Sequence, residues 1–96
     1  MAFVYILYSQ STDTFYIGSC KDLKQRLLEH QEKVFEKSYT SYIDDWNLYF
    51  SIDNIDYSLA RKIELHIKRM KSKKYLENIK MYPQIAHKLI LKYSQS

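Results

Sequence analysis

The stretch "FYIGSCKDLKQRLLEH", residues 15–30, decides the fold. Phe15, Tyr16 and Ile17 are strand formers, and Gly18, the chain's single glycine, follows them at once. A glycine there permits either an unusual backbone conformation or an approach that a side chain would forbid. Asp22 and Gln25 have capping-box spacing, which starts a helix near Leu23. Leu23, Leu27 and Leu28 form its apolar face. Arg26 and His30, four residues apart, share another face. The stretch is therefore a plain strand-to-helix connection or a holder of reactive groups.

Upstream, "AFVYILY" (2–8) reads as a strand buried on both faces or nearly so. The polar turn "SQSTDT" joins it to "FYIG" as a hairpin. Within that hairpin Tyr5 shares a face with Phe3 and Leu7, and Tyr16 shares one with Gly18. Downstream, residues 31–45 form an irregular loop in which Asp44 and Asp45 are surface groups. "WNLYFSI" (46–52) is a third strand, and "DNIDYS" supplies turn and cap residues before a helix near Ser58. Leu59, Ile63, Ile67 and Met70 make a core stripe on that helix. Ser72 caps a third helix, Pro83 breaks it, and Ile85, Ala86, Leu89, Ile90 and Tyr93 form the apolar side of a last one. The order β-β-α-β-α-α-α predicts an α+β fold, with a small three-stranded antiparallel sheet flanked by helices in a single domain, 1–96.

Composition narrows the function. With 46% apolar and 27% charged residues the chain has the make-up of an ordinary globular domain. It has no apolar run of membrane-spanning length, and its N-terminus lacks the pattern of a secretory signal. Cys20 is the single cysteine, so no internal disulfide can form; a reduced, cytoplasmic setting is expected. The net charge of +4 is split unevenly, −4 over residues 1–60 and +8 over 61–96. Such a basic C-terminal half suits a polyanionic partner.

Several polar residues also have ordinary structural readings. Arg26 can pair with Asp22 or Glu29 on its own helix, and Glu64, at the margin of the apolar stripe, can pair with Lys68. A strand tyrosine can simply reach water or a backbone group. Cys20 reads as a small filler.

Taken together, these residues resemble the GIY-YIG nuclease superfamily. Its two name motifs read here as "FVY" (Phe3-Val4-Tyr5) and "YIG" (Tyr16-Ile17-Gly18). The likeness continues through "GSCKDLKQRLLEH", with an arginine and a histidine four residues on. It ends in "LARKIELHIKRMKSKK", which resembles the family's glutamate helix and the lysine-rich segment after it. It covers roughly residues 3–80 and is nearest the small stand-alone members. Phe3 stands where the name motif has its first glycine. Asn78 is a candidate for the asparagine that larger members carry.

The resemblance implies a metal-dependent endonuclease that hydrolyses DNA to 3′-hydroxyl and 5′-phosphate ends. Glu64 would be the single protein ligand of Mg²⁺ (or Mn²⁺), which keeps several waters and takes phosphate oxygens. Arg26 would hold a phosphate oxygen. Tyr5, or failing that Tyr16, would be the general base, with His30 relaying the proton or orienting the phenol. Gly18 would let the phosphate come close to the backbone, while Lys68, Lys71, Lys73 and Lys74 track the nucleic acid, with branched or damaged DNA among the candidate substrates. The alternative is a catalytically silent or RNA-directed binding module of the same fold. A protein partner or homodimer stays open, as does the role of residues 81–96, a packing helix or a dimer contact.

Overall fold

The computed structural model describes residues 1–31, 43 and 45–94, with the backbone alone for His30 and Gln31. The expected element order is observed: β1 (Ala2–Ser9), β2 (Thr14–Cys20), α1 (Leu23–Gln31), β3 (Trp46–Ile55), α2 (Tyr57–Met70), α3 (Lys73–Met81) and α4 (Pro83–Ser94). The sheet is antiparallel in the order β2-β1-β3, so β1 is central and β2 is an edge. Most of the loop expected over 31–45 lies outside the described residues.

Strand alternation divides the core into two layers. Ala2, Val4 and Ile6 face α2, α3 and α4, where they meet Ile52, Ile63, Ile67, Leu76, Ile79 and Leu89. Tyr5 and Leu7 face the other way and pack with Cys20, Ile43 and Trp46 beneath Leu23 and Leu27 of α1. This two-sided burial explains the nearly unbroken apolar run of β1. Two apolar assignments need correction: Leu28 and Met70 are both 43% exposed, outside the stripes expected to bury them.

The caps follow local chemistry. The Gln25 amide donates to Asp22 Oδ1 at 3.1 Å, Leu59 donates to Asp56, and Tyr75 to Ser72. β3 runs three residues past the expected end because Asn54 adopts a left-handed φ of 59°. Asparagine tolerates that conformation, and the pairing with β1 shifts register there, a bulge in place of the expected turn. Asp45, expected to be an idle surface group, accepts hydrogen bonds from Ser9 Oγ (2.6 Å), Ser11 N (2.9 Å) and Ser11 Oγ (2.9 Å). It fastens the β1–β2 turn to the start of β3.

Candidate active site

Tyr5 and Gly18 stand opposite each other across β1 and β2. The Tyr5 ring lies over the glycine so closely that a β-carbon there would sit 2.5 Å from Tyr5 Oη. Gly18 does not have positive φ. The glycine is therefore needed for close approach, and what approaches is the phenol of Tyr5. Tyr16, two residues before Gly18, stacks on Tyr5 with centroids 6.2 Å apart and packs edge-on against Trp46.

Burial, then the neighbouring Tyr16, push the Tyr5 phenol well above its ordinary pKa. Arg26 acts in the opposite direction, and Cys20 and Glu64 add smaller upward contributions. The Cys20 thiol is likewise raised, by burial first, with Arg26 opposing. Arg26 thus places its positive charge beside both groups from α1. It also pairs with Glu29, Nε to Oε1 at 3.4 Å, as the structural reading allowed.

Glu64 reaches β2 from the opposite side. It is 3% exposed, the single buried charged residue among those described. Its Oε1 accepts from Ser19 Oγ at 2.5 Å and from an Arg61 guanidinium nitrogen at 3.0 Å, and Oε2 pairs with Lys68 Nζ at 2.7 Å. Ser19 faces α2 because its neighbour Gly18 faces Tyr5. The tyrosines and Arg26 therefore gather on one face of β2 and Glu64 on the other, meeting across an edge strand. They do not share one face.

Ser19 and Arg61 were missed in the sequence. Their signals were present: a small polar residue inward on a buried strand needs a partner, and Arg61 lies three residues before Glu64.

On α2, Tyr57, Arg61, Glu64 and Lys68 follow one another at steps of four, three and four, a single stripe along the helix, with Lys71 as the left-handed C-cap beyond its end. A cavity of about 380 Å³ opens at its N-terminal end, lined by Cys20, Lys21, Asp22, Gln25, Arg26, Glu29 and Tyr57. A groove of about 230 Å³ lies at the other end and includes Lys68, Lys71 and Lys73. Lys74 is exposed but lies outside that groove. The His30 side chain lies outside the described residues.

Residues 1–77 match the family description "GIY-YIG catalytic domain". The chain belongs to the GIY-YIG family. A curated relative, "UPF0213 protein in VLF1-GP41 intergenic region" of Autographa californica nuclear polyhedrosis virus, is 33% identical over 89 residues, 92% of this chain and 85% of that protein. No solved structure is matched. GIY-YIG membership implies a nuclease-type hydrolase whose substrate is nucleic acid.

The Glu64 site suits a divalent cation in its chemistry. A buried carboxylate demands positive charge, and here an ammonium and a guanidinium, each on a half-exposed flexible stem, supply it. Carboxylate and hydroxyl oxygens are the donors that Mg²⁺ and Mn²⁺ take. Among the described residues no group of three or more His, Cys, Asp or Glu gathers to hold a metal.

Proposed function

We propose that the protein is a divalent-metal-dependent endonuclease that hydrolyses DNA phosphodiesters to 3′-hydroxyl and 5′-phosphate ends. The observation that carries this reading is Glu64, a buried carboxylate held against β2 by Ser19 between two displaceable cations. Glu64 would hold the metal, whose chemistry is to stabilise negative charge on the phosphate and on the departing oxygen.

The chain's own groups divide the remaining work. Arg26 opposes charge on a non-bridging oxygen with its guanidinium. Tyr5, buried and with its proton held tightly, donates a hydrogen bond rather than accepting a proton. Tyr16, half-buried at the margin of the same cluster, is the phenol accessible to an attacking water and takes the base role. His30, one turn beyond Arg26, relays the proton onward. Lys68, Lys71 and Lys73, around the α2–α3 junction, draw the polyanion toward the site. The single cysteine suits a reduced, cytoplasmic setting for the reaction.

Supercoiled plasmid incubated with Mg²⁺, Mn²⁺ or EDTA tests this. Nicking is expected with metal alone, and Glu64→Ala is expected to retain DNA binding without cutting. Equal cutting by both proteins would dismiss the reading. The ion pairs that already satisfy Arg26 and Glu64 favour a second reading, a catalytically silent or RNA-directed nucleic-acid-binding module of the same fold; binding without nicking under every metal condition would select it.

A further inference from the structure

The groove between β2 and the α2–α3 junction combines two kinds of lining. Phe15, Ile17, Ile67 and Leu76 give it an apolar wall, and Lys68, Lys71 and Lys73 stand around it. Ile67 and Leu76 are core residues that floor the groove, while Phe15 and Ile17, packed against that core, are only half-buried and leave apolar surface beside the lysines. A paired duplex presents phosphate and sugar to such a surface and keeps its base faces stacked inside. An unpaired nucleotide presents both a phosphate and an apolar base face, which is the chemistry found here.

Among the described residues, Phe15 is the one aromatic ring in this lining. Its ring is half-buried and braced by Tyr8, with centroids 4.8 Å apart, and by Tyr49 at 5.1 Å and 79°. A ring already fixed by its neighbours loses little freedom on stacking. Lys73 is tied to the same strand pair through Asp13, 2.8 Å from its Oδ2, and Asp13 in turn accepts from the Tyr8 hydroxyl. The groove is continuous with the candidate active site through Lys68, which both lines it and pairs with Glu64. From Tyr57 to Lys68 the α2 stripe extends about 16 Å at the helical rise.

We infer that this groove is a subsite for an unpaired nucleotide a few phosphates from the scissile bond, and that the protein selects nucleic acid with a single-stranded segment beside the cut. The inference deepens the nuclease reading but is tested without cleavage. In EDTA, fluorescence anisotropy compares a labelled oligo-dT strand, a blunt duplex of equal length and a duplex with a single-stranded flap, for the native chain and for Phe15→Leu.

The strand and the flap are expected to bind the native protein more tightly than the blunt duplex. Phe15→Leu is expected to lose about fivefold or more on both, while its duplex affinity holds within about twofold, since base–aromatic stacking is sequence-tolerant and absent from a duplex. A strand carrying 2-aminopurine gives a readout on the native chain alone, with a change of emission expected on binding as the base leaves its stacked neighbours for the groove. Equal native affinity for strand and duplex, equal losses on both in Phe15→Leu, or a probe whose emission does not change on binding would each overturn the subsite. A protein that nicks plasmid but fails these tests keeps its nuclease reading; one that passes them without nicking keeps the subsite.

Discussion

Tyr5 occupies the space that any side chain at residue 18 would need: a β-carbon on Gly18 would lie 2.5 Å from Tyr5 Oη and 2.6 Å from Cζ. Gly18→Ala must therefore push a buried ring off its seat between Tyr16 and β2. Overpacking of this kind costs about 1–3 kcal/mol. Urea unfolding is expected to show that loss, and nicking is expected to fall with it. Removing the hydroxyl in Tyr5→Phe should not rescue the alanine, because Cζ clashes as well. An unchanged unfolding midpoint would mean that the ring has room to move.

The two phenols should separate by pH profile. Burial holds the Tyr5 proton well above the ordinary phenol range, so its protonation is constant across any practical assay. Tyr5→Phe is expected to lower the rate about tenfold, the loss of one hydrogen-bond donor, and to leave the shape of the profile alone. Tyr16→Phe is expected to cost about a hundredfold or more, the usual weight of general acid–base catalysis. A larger loss in Tyr5→Phe, with the basic limb altered, would return the base role to Tyr5.

Much of this arrangement was legible in the sequence because it rests on short-range rules. Alternation put Tyr5 with Leu7 and Tyr16 with Gly18, the register then sets both pairs on one face, and caps at Asp22 and Ser72 marked where helices begin. What alternation could not reveal was the side from which Glu64 arrives. That depends on which face of the sheet α2 covers, a long-range choice set by Ile63 and Ile67 meeting Val4 and Ile6. Asp45 illustrates the same limit: its ligands lie 36 and 34 residues away, beyond any local pattern.

Ser19 should tune the metal requirement without touching the substrate. Its hydroxyl holds Glu64 Oε1 in place inside the protein. Loss of a group that orients a ligating carboxylate typically weakens metal affinity about 10–100-fold. Ser19→Ala is expected to raise the half-maximal Mn²⁺ concentration by at least the lower figure while the rate at saturating metal stays near native. A proportionate loss of rate at every metal concentration would point to misfolding or to a different ligand.

The lysines should be unequal in their salt dependence. Lys68, Lys71 and Lys73 line the groove, whereas Lys74 does not. Each phosphate contact removed lowers the slope of log affinity against log salt by about 0.7–0.9. Lys71→Ala, which removes a lysine with no ion pair among the described residues, is expected to show that reduction most cleanly. Lys74→Ala is expected to leave the slope unchanged. Equal slopes for the two variants would show that the basic segment binds as a diffuse patch.

Acid should unfasten the protein in two steps. Burial, with Lys92 and Arg69 nearby, lowers the pKa of His66, whose Nδ1 shares a 2.7 Å hydrogen bond with Tyr93 Oη between α2 and α4. A histidine depressed in the folded state stabilises it above its unfolded value near 6.5, and that contribution is lost as pH falls below it. Asp45 acts lower on the scale. Hydrogen bonds from Ser9, then Ser11, bring its carboxyl from 3.8 to about 2, so its contribution is complete above pH 3.8 and disappears as pH falls through 2. Melting temperatures followed from pH 8 to pH 2 are expected to decline in both windows. His66→Gln should flatten the upper one and Asp45→Asn the lower one, each leaving the other in place; a single loss shared by both variants would show that the two clasps unfold as one unit.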